Sequence, residues 1–368
     1  MKFSITGTRG IPNRYGGFEQ FSTRLAVGLS RLGHEVLVYN PHYHSHKKGD
    51  YQGVKVIHKR SLEKAIGAGA NYLYDLICLK DAIRKNADVI LECGYASAAP
   101  WYPILRRGTT KLVTHMDGME WQRGKWGRFT KKTMLRAECT AIKHSDAILC
   151  DNPEIADYYQ NKYSVNPVMI PYGAETRKNW KRGVLTEKGL EHDSFYLLVA
   201  RLEPENNIRI IIEGFLASAV KGSLVIVGNC SGKYGRRIFR RYGANNRLKF
   251  LGGVFDPTIL DHLRHFSTAV FHGHSAGGTN PSLLEAMASG AFIFAHDNPY
   301  NKWVLNENAV YFHSADDLKQ KLEKLHEPER LGKDMILNNL DRIDKDFQWD
   351  SIIRQYEELF IHLVKTPE

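Results

Sequence analysis

The stretch FHGHSAGGTNPSLLEAMASG, residues 271–290, decides how the chain is read. An apolar run from Thr268 to His272 has the look of a strand, and it breaks into glycines just before a helix-start signal. Asn280 suits the N-cap, and Pro281 suits the first helical position, where its missing N–H costs nothing. Gly277, Gly278 and Thr279 then fall in the turn that feeds a helix N-terminus. Free N–H groups and the positive end of the helix dipole attract an anion there, first of all a phosphate. Glu285 follows just over one turn into the helix, within reach of the next group along a bound nucleotide, and a carboxylate suits the two hydroxyls of a ribose. His274 is a candidate for phosphate or sugar contact, and equally a structural histidine.

Around that stretch, 368 residues allow two domains of ordinary size, and 43% hydrophobic with 25% charged residues is the range of a soluble globular chain. No apolar run approaches a membrane span, and MKFSITGTRG lacks a secretory apolar core, so the chain is expected in the cytoplasm. Cys78, Cys93, Cys139, Cys150 and Cys230 have no C-x-x-C spacing. They read as buried free thiols rather than a disulfide framework or zinc site. Charge is unevenly spread. Residues 1–172 carry 25 Lys and Arg against 15 Asp and Glu, a net of +10, whereas residues 173–368 carry 26 against 25, a net of +1. The first half therefore expects an anionic partner, a membrane surface or a lipid pyrophosphate. No nucleic-acid-binding signature is present, and nucleic acid ranks last.

Taken in order, the chain alternates strand and helix, which argues for α/β architecture with parallel, doubly wound sheets. Lys2 to Thr6 opens as a strand, followed by a loop with Gly7, Gly10, Gly16 and Gly17 and a helix with Phe21, Leu25 and Leu29 on one face. The loop is not G-x-G-x-x-G, so no dinucleotide fingerprint is supported. Arg9 and Arg14 are candidates to neutralise phosphate in that loop. His42, His44 and His46 alternate along a hydrophilic segment and do not read as converging metal ligands. Residues 111–138, KLVTHMDGMEWQRGKWGRFTKKTMLRAE, form a strand that delivers His115 and Asp117 to its carboxyl end, with Glu120 close behind. In open α/β sheets that is the ligand-binding end. Beyond it, Trp121, Trp126 and Phe129 interleave with Arg123, Lys125, Arg128, Lys131, Lys132 and Arg136, a mixture that suits the boundary between water and anionic lipid. Residues 297–302 read as a loop, and the remainder reads as helical, ending in an amphipathic helix from about 350 to 364.

GGTNPSLLEAMASG followed by AFIFAHDNP resembles the nucleotide-binding signature of family 4 glycosyltransferases. In that signature two glutamates stand eight positions apart and the second opens the EAMASG helix. Glu285 matches the second; the first falls on Gly277, a departure at the position that touches the donor sugar. RLEPENN, residues 201–207, is similar to the family's R-L-x-x-E-K-N, which supplies an arginine and a lysine to the donor diphosphate. Arg201 matches the arginine, and Asn206 stands where the lysine would. GTRGIPNRYGGFE, residues 7–19, looks like the first loop of a subgroup that includes rhamnosyltransferases of bacterial polysaccharide assembly.

The resemblance implies a GT-B fold of two Rossmann-like doubly wound domains facing a cleft. An acceptor-side domain would span residues 1–172, a linker 173–194 and a nucleotide-sugar domain 195–349, with a last helix, 350–368, packing back on the first domain. It implies retaining transfer of a hexose or deoxyhexose from a UDP or dTDP sugar to a lipid-linked or polysaccharide acceptor. Neither metal nor cofactor is expected, and the enzyme would sit peripherally on the inner face of the membrane. Donor contacts would come from Gly16, Gly17, Arg201, Asn206, His274, Gly277, Gly278, Thr279, Asn280 and Glu285, and acceptor contacts from Arg14, Glu120 and Trp121. Asp117, His115, Arg201 and Glu285 would carry catalysis, with Arg201 and the amides of 277–280 stabilising the departing diphosphate. A nucleotide-sugar epimerase of the same fold, or a non-catalytic nucleotide-binding subunit, stays open beside this reading.

Overall fold

The computed structural model describes residues 1–14, 16–122, 126–190, 194–324 and 328–366. Tyr15 of the first glycine loop and Arg123 and Lys125 of the aromatic and basic stretch lie outside the described residues. The chain divides into two compact units: Met1–Gln122, Trp126–Tyr172 and the segment from Trp349 onward form one, and Gly173–Gln348 forms the other.

The first unit runs β1 (Lys2–Thr6), α1 (Gly17–Arg31), β2 (Glu35–Pro41), β3 (Asp50–Tyr51), β4 (Val54–Lys59), α2 (Glu63–Ile66), α3 (Ala70–Arg84) and β5 (Val89–Cys93). It continues with β6 (Lys111–His115), α4 (Arg128–His144), β7 (Ala147–Cys150), α5 (Pro153–Tyr163) and β8 (Val168–Met169). These strands form one sheet in the order β3-β4-β2-β1-β5-β6-β7-β8, parallel except for the short β3 against β4. The central strands are buried on both faces because helices cover both, as parallel strands require. Phe3, Ile5, Leu91 and Val113 are fully buried. α1 buries Phe21, Leu25, Ala26 and Leu29, the face its spacing predicts.

The second unit runs β9 (Phe195–Val199), α6 (Ile208–Ala217), β10 (Ser223–Val227), α7 (Lys233–Tyr242), β11 (Leu248–Gly252), α8 (Pro257–Phe266) and β12 (Ala269–His272). Then come α9 (Pro281–Ala288), β13 (Ile293–His296), α10 (Pro299–Leu305), β14 (Val310–Phe312), α11 (Ala315–Lys324) and α12 (Pro328–Asp346). Its sheet is wholly parallel, in the order β11-β10-β9-β12-β13-β14. α6 buries Ile208, Ile211, Ile212 and Phe215 against it, a spacing of three and four that keeps one stripe on the core.

The closing helix, α13 (Trp349–Lys365), belongs to the first unit. Ile352, Ile353, Tyr356 and Phe360 are buried, with the Phe360 ring 5.1 Å from that of Phe3 and the Tyr356 ring 5.3 Å from that of Phe21. Gly28 lets α13 approach α1, since a Cβ there would stand 2.3 Å from Ile353 Cδ1.

Several sequence expectations need correction. Residues 297–302 are not a loop, because Asn298 caps α10 by accepting from Asn301 N at 3.0 Å. The remainder is not all helical, since β14 adds a strand beside β13. Cys78, Cys93 and Cys150 are buried as expected, but Cys139 is exposed and Cys230 half-buried. The polar segment after Gly173 packs closely within the second unit: the Trp180 ring stacks on His265 at 4.1 Å, and Leu185 and Leu190 are fully buried. Among the described residues, no helix is long and apolar enough to cross a membrane.

Candidate functional site

A doubly wound sheet leaves a crevice at the carboxyl ends of its strands where the strand order reverses. In the second unit the reversal lies between β9 and β12. The loops after these two strands are tied together there. A Cβ on Gly273 would stand 2.2 Å from the Asn206 carbonyl oxygen, so only glycine permits the approach. Asn207 Nδ2 donates to Gly273 O at 2.8 Å, and Ser275 donates to Glu205 O through its backbone N at 3.0 Å and its Oγ at 2.9 Å. Asn206 corrects the expectation of a donor contact. Its side chain is buried and donates to Arg201 O at 2.7 Å, so it shapes the turn that presents the exposed Arg201.

The other wall is the N-terminus of α9. Asn280 caps it as the sequence predicts, its side chain accepting from Ser282 N at 3.0 Å, with Pro281 in the first turn. Gly277 has φ +109°, and no atom lies within 4 Å of where its Cβ would be. Backbone conformation rather than lack of space favours glycine at this position. Thr279 is buried, and Gly278 lies between them in the same turn.

Glu285 lies on α9, and its Oε2 accepts from Arg264 Nη2. Arg264 is only 2% exposed, and its Nη1 donates to Asp261 Oδ1 at 3.2 Å. Neither residue carries a sequence signal, because both sit in an ordinary amphipathic helix. His274 has structural contacts, one of the two readings its sequence position leaves open. Its ring stacks at 4.5 Å on His272, and its carbonyl accepts from Asn298 and Asn301 side chains at 2.9 and 3.1 Å. Burial, aided by the neighbouring His274, Arg264 and His296 charges, holds the His272 imidazole well below its ordinary pKa.

In the first unit the order reverses between β1 and β5. Asn40 pins the loop after β1, accepting from Ile11 N at 2.9 Å and donating to Ile11 O at 2.8 Å. Arg14 is exposed in this loop, Gly16 is the extended N-cap of α1, and Gly17 is its exposed first residue. Arg9 is engaged with Glu63, its Nε donating at 3.0 Å. Under the loop lie two buried carboxyls that sequence reasoning missed: burial pushes Asp75 up to about 7 and Glu92 well above the carboxylate range. The three alternating histidines do not converge. His42 Nδ1 accepts from Ser61 N, His44 Nδ1 contacts Asn40 Nδ2, and His46 Nε2 contacts Asp50 O.

His115 and Asp117 stand at the carboxyl end of β6, but the histidine is not placed to touch a ligand. It is fully buried, stacked on Tyr172 at 5.7 Å and edge-on to Phe18 at 5.3 Å. Its Nδ1 accepts from Asp117 N at 3.2 Å, which helps hold Asp117 at φ +56°. Glu120 and Trp121 follow in a short 3-10 turn, both half-buried. Trp121 is turned inward, donating to Glu138 Oε2 at 3.2 Å. That carboxylate, fully buried on α4, also accepts from Tyr95 at 3.2 Å, Tyr158 at 2.7 Å and Lys162 at 3.3 Å. Such a density of donors stabilises a buried charge and fixes Trp121 in the fold rather than at the surface.

Burial lowers the His115 pKa from 6.5 to about 4. The folded state therefore disfavours the charged ring. The stability this contributes is fully present above pH 6.5 and is lost as pH falls toward 4, roughly 3 kcal/mol in all. His115→Gln is expected to lose less stability than the parent between pH 7 and pH 4.5 in denaturant titrations. Equal losses would mean that the ring is solvated.

Comparison with known proteins bears on the fold. Residues 1–175 match a family described as a domain of unknown function, DUF1972, and residues 185–342 match the family described as Glycosyl transferases group 1. An uncharacterized glycosyltransferase of Methanocaldococcus jannaschii is 25% identical over 179 residues, covering 45% of this chain. The chain spans 44% of that relative's length. Sucrose-phosphate synthase from Thermosynechococcus elongatus superposes with a TM-score of 0.82 at 15% identity, over 98% of each chain. HepE from Anabaena, solved with UDP-glucose, superposes at 0.75 and 15% identity over 98% of this chain and 99% of its own. The fold is GT-B, with two Rossmann-like units, and the match to the group 1 glycosyl transferases lies in residues 185–342.

Proposed function

We propose that this chain is a retaining glycosyltransferase of cell-surface polysaccharide biosynthesis. It would move a hexose or deoxyhexose from a UDP or dTDP sugar to a lipid-linked or polysaccharide acceptor without a metal. The observation that carries this reading is the junction at the β9–β12 reversal. Arg201 is exposed on one loop, the capped N-terminus of α9 forms the other wall, and Glu285 lies one turn further on. The diphosphate binds at that N-terminus, where helix dipole and amides favour negative charge, and Arg201 neutralises the charge that develops as the sugar–phosphate bond breaks. Glu285 accepts from the ribose hydroxyls. The solved complexes of HepE with UDP-glucose and with UDP support a donor of this class.

On the acceptor side, Asp117 is the half-buried carboxylate we assign to the acceptor hydroxyl, with Glu120 three residues on. His115, buried and neutral, acts by fixing the Asp117 backbone rather than by exchanging protons. Nucleotide binding without turnover is the second reading, favoured by Gly277 and by the buried, neutral Asn206 where the family carries charged groups.

A lipid-linked acceptor also asks for contact with an anionic membrane, and the first unit has a surface suited to it. Phe129 is 80% exposed on α4, in line with exposed Arg128, Lys132 and Arg136, while Ile66 and Ile104 are 65% and 62% exposed. Apolar side chains set among basic ones suit the lipid headgroup region. Trp121 is not part of that surface. Cosedimentation with phosphatidylglycerol vesicles is expected, and Phe129→Ser with Lys132→Glu should weaken it at least severalfold. Unchanged binding by the double variant would remove α4 from the contact.

Incubation with UDP-, GDP- and dTDP-sugars, with and without lipid acceptor, tests the reaction itself. Transfer is expected only with acceptor, and release of an altered sugar nucleotide without acceptor would favour an epimerase. Arg201→Ala and Glu285→Ala are each expected to lower transfer about a hundredfold with the far-ultraviolet spectrum unchanged. Parental rates in either variant would remove that residue from the site.

A further inference from the structure

The Glu285 carboxyl is engaged by a guanidinium buried behind it. Arg264, on α8, is 2% exposed and donates through Nη2 to Glu285 Oε2 and, at 3.3 Å, to Ser282 Oγ of α9. Its Nη1 reaches Asp261 Oδ1 at 3.2 Å, and Asp261 Oδ2 in turn meets Arg177 Nη2 at 3.1 Å. Four charges thus alternate from residue 177 to Glu285, and the most buried of them is Arg264. A buried arginine whose fork engages two carboxylates has a fixed geometry, because the guanidinium is planar and its donors are rigidly disposed. Burial pushes the Asp261 carboxyl up, and the Arg264 charge opposes that only in part.

The consequence for Glu285 is directional. A carboxylate on a three-bond stem at a half-exposed site would sample several rotamers, each needing to be ordered again on binding. With Oε2 anchored to Arg264, rotation is restricted and the carboxyl oxygens are presented in a fixed direction as acceptors for hydroxyl hydrogen bonds. We propose that Arg264 is a positioning residue for the nucleotide: braced by Asp261, it keeps Glu285 aimed so that the ribose hydroxyls meet a preset acceptor. This rests on the reading of Glu285 as the ribose carboxylate, and the test separates the two.

The probes are UDP and its 2′,3′-dideoxy analogue, titrated calorimetrically into the full chain. The parent is expected to prefer UDP at least tenfold, the worth of charge-assisted hydrogen bonds to the ribose. Glu285→Gln should reduce that preference to within about threefold. Arg264→Gln should do the same while binding of the dideoxy analogue changes less than about threefold, and Arg264→Lys, which keeps the charge but not the fork, should fall between. A merely structural role for Arg264 would weaken both ligands alike and leave the ratio at the parental value, and that result overturns the proposal. Should Arg264→Gln not fold, the lysine variant alone decides it by the same ratio. A parent with no preference for UDP would instead overturn the ribose reading of Glu285, whatever Arg264 does.

Discussion

The close approach of two backbone segments, the Asn206 carbonyl against the Cα of Gly273, is the constraint on which the candidate site depends. Parallel strands end on the same side, so the loops that leave β9 and β12 part toward opposite faces of the sheet and open a crevice between them. An open crevice of loops has no fixed shape. Here the shape is set by neutral hydrogen bonds between the two loops, Asn207 to Gly273 O and Ser275 to Glu205 O, and by the turn that Asn206 closes on Arg201. Any of these contributes about 1 kcal/mol. Their value lies in fixing where an arginine and a helix N-terminus stand relative to each other before any anion arrives, which is what electrostatic preorganisation requires.

The two units solve the same problem with different materials. In the second, an exposed arginine lies on the loop after β9 and a capped helix N-terminus follows the loop after β12. In the first, the loop at the reversal is pinned by Asn40, and burial pushes the groups under it and at the end of β6, Asp75, Glu92 and His115, toward their neutral forms. That distribution suits an anionic donor for the second unit. It leaves the first unit's large positive balance to its surface, where α4 displays it around Phe129.

Much of the fold was legible because the same signals recur. Asn152-Pro153, Asn280-Pro281 and Asn298-Pro299 each cap a helix, and the apolar spacings of α1, α6 and α13 each bury the face they suggest. The third Asn-Pro pair escaped notice because α10 has only seven residues, too few to show a period. β14 escaped for the related reason that three residues, Val310–Phe312, do not establish alternation. The backbone around the candidate site was legible where it follows from local signals, as with the Asn280 cap and the glycine turn at Gly277. It was illegible where a role depends on what stands behind a residue. His115 and Trp121 read as outward-facing until Tyr172 and Glu138 are seen to claim them, and Arg264 is one more basic residue in PTILDHLRHF until Glu285 is found against it. Partners more than fifteen positions apart in sequence leave no local trace.

The account turns on one placement: a nucleoside diphosphate seated at the N-terminus of α9 in the second unit, with its pentose toward Glu285. A crystal structure of the chain with UDP or dTDP tests it most directly. Diphosphate density against residues 277–280 and Arg201, and ribose hydroxyls at Glu285, is the result the account predicts. Density for the nucleotide in the glycine loop of the first unit instead, or at neither place with nucleotide at millimolar concentration, would contradict it.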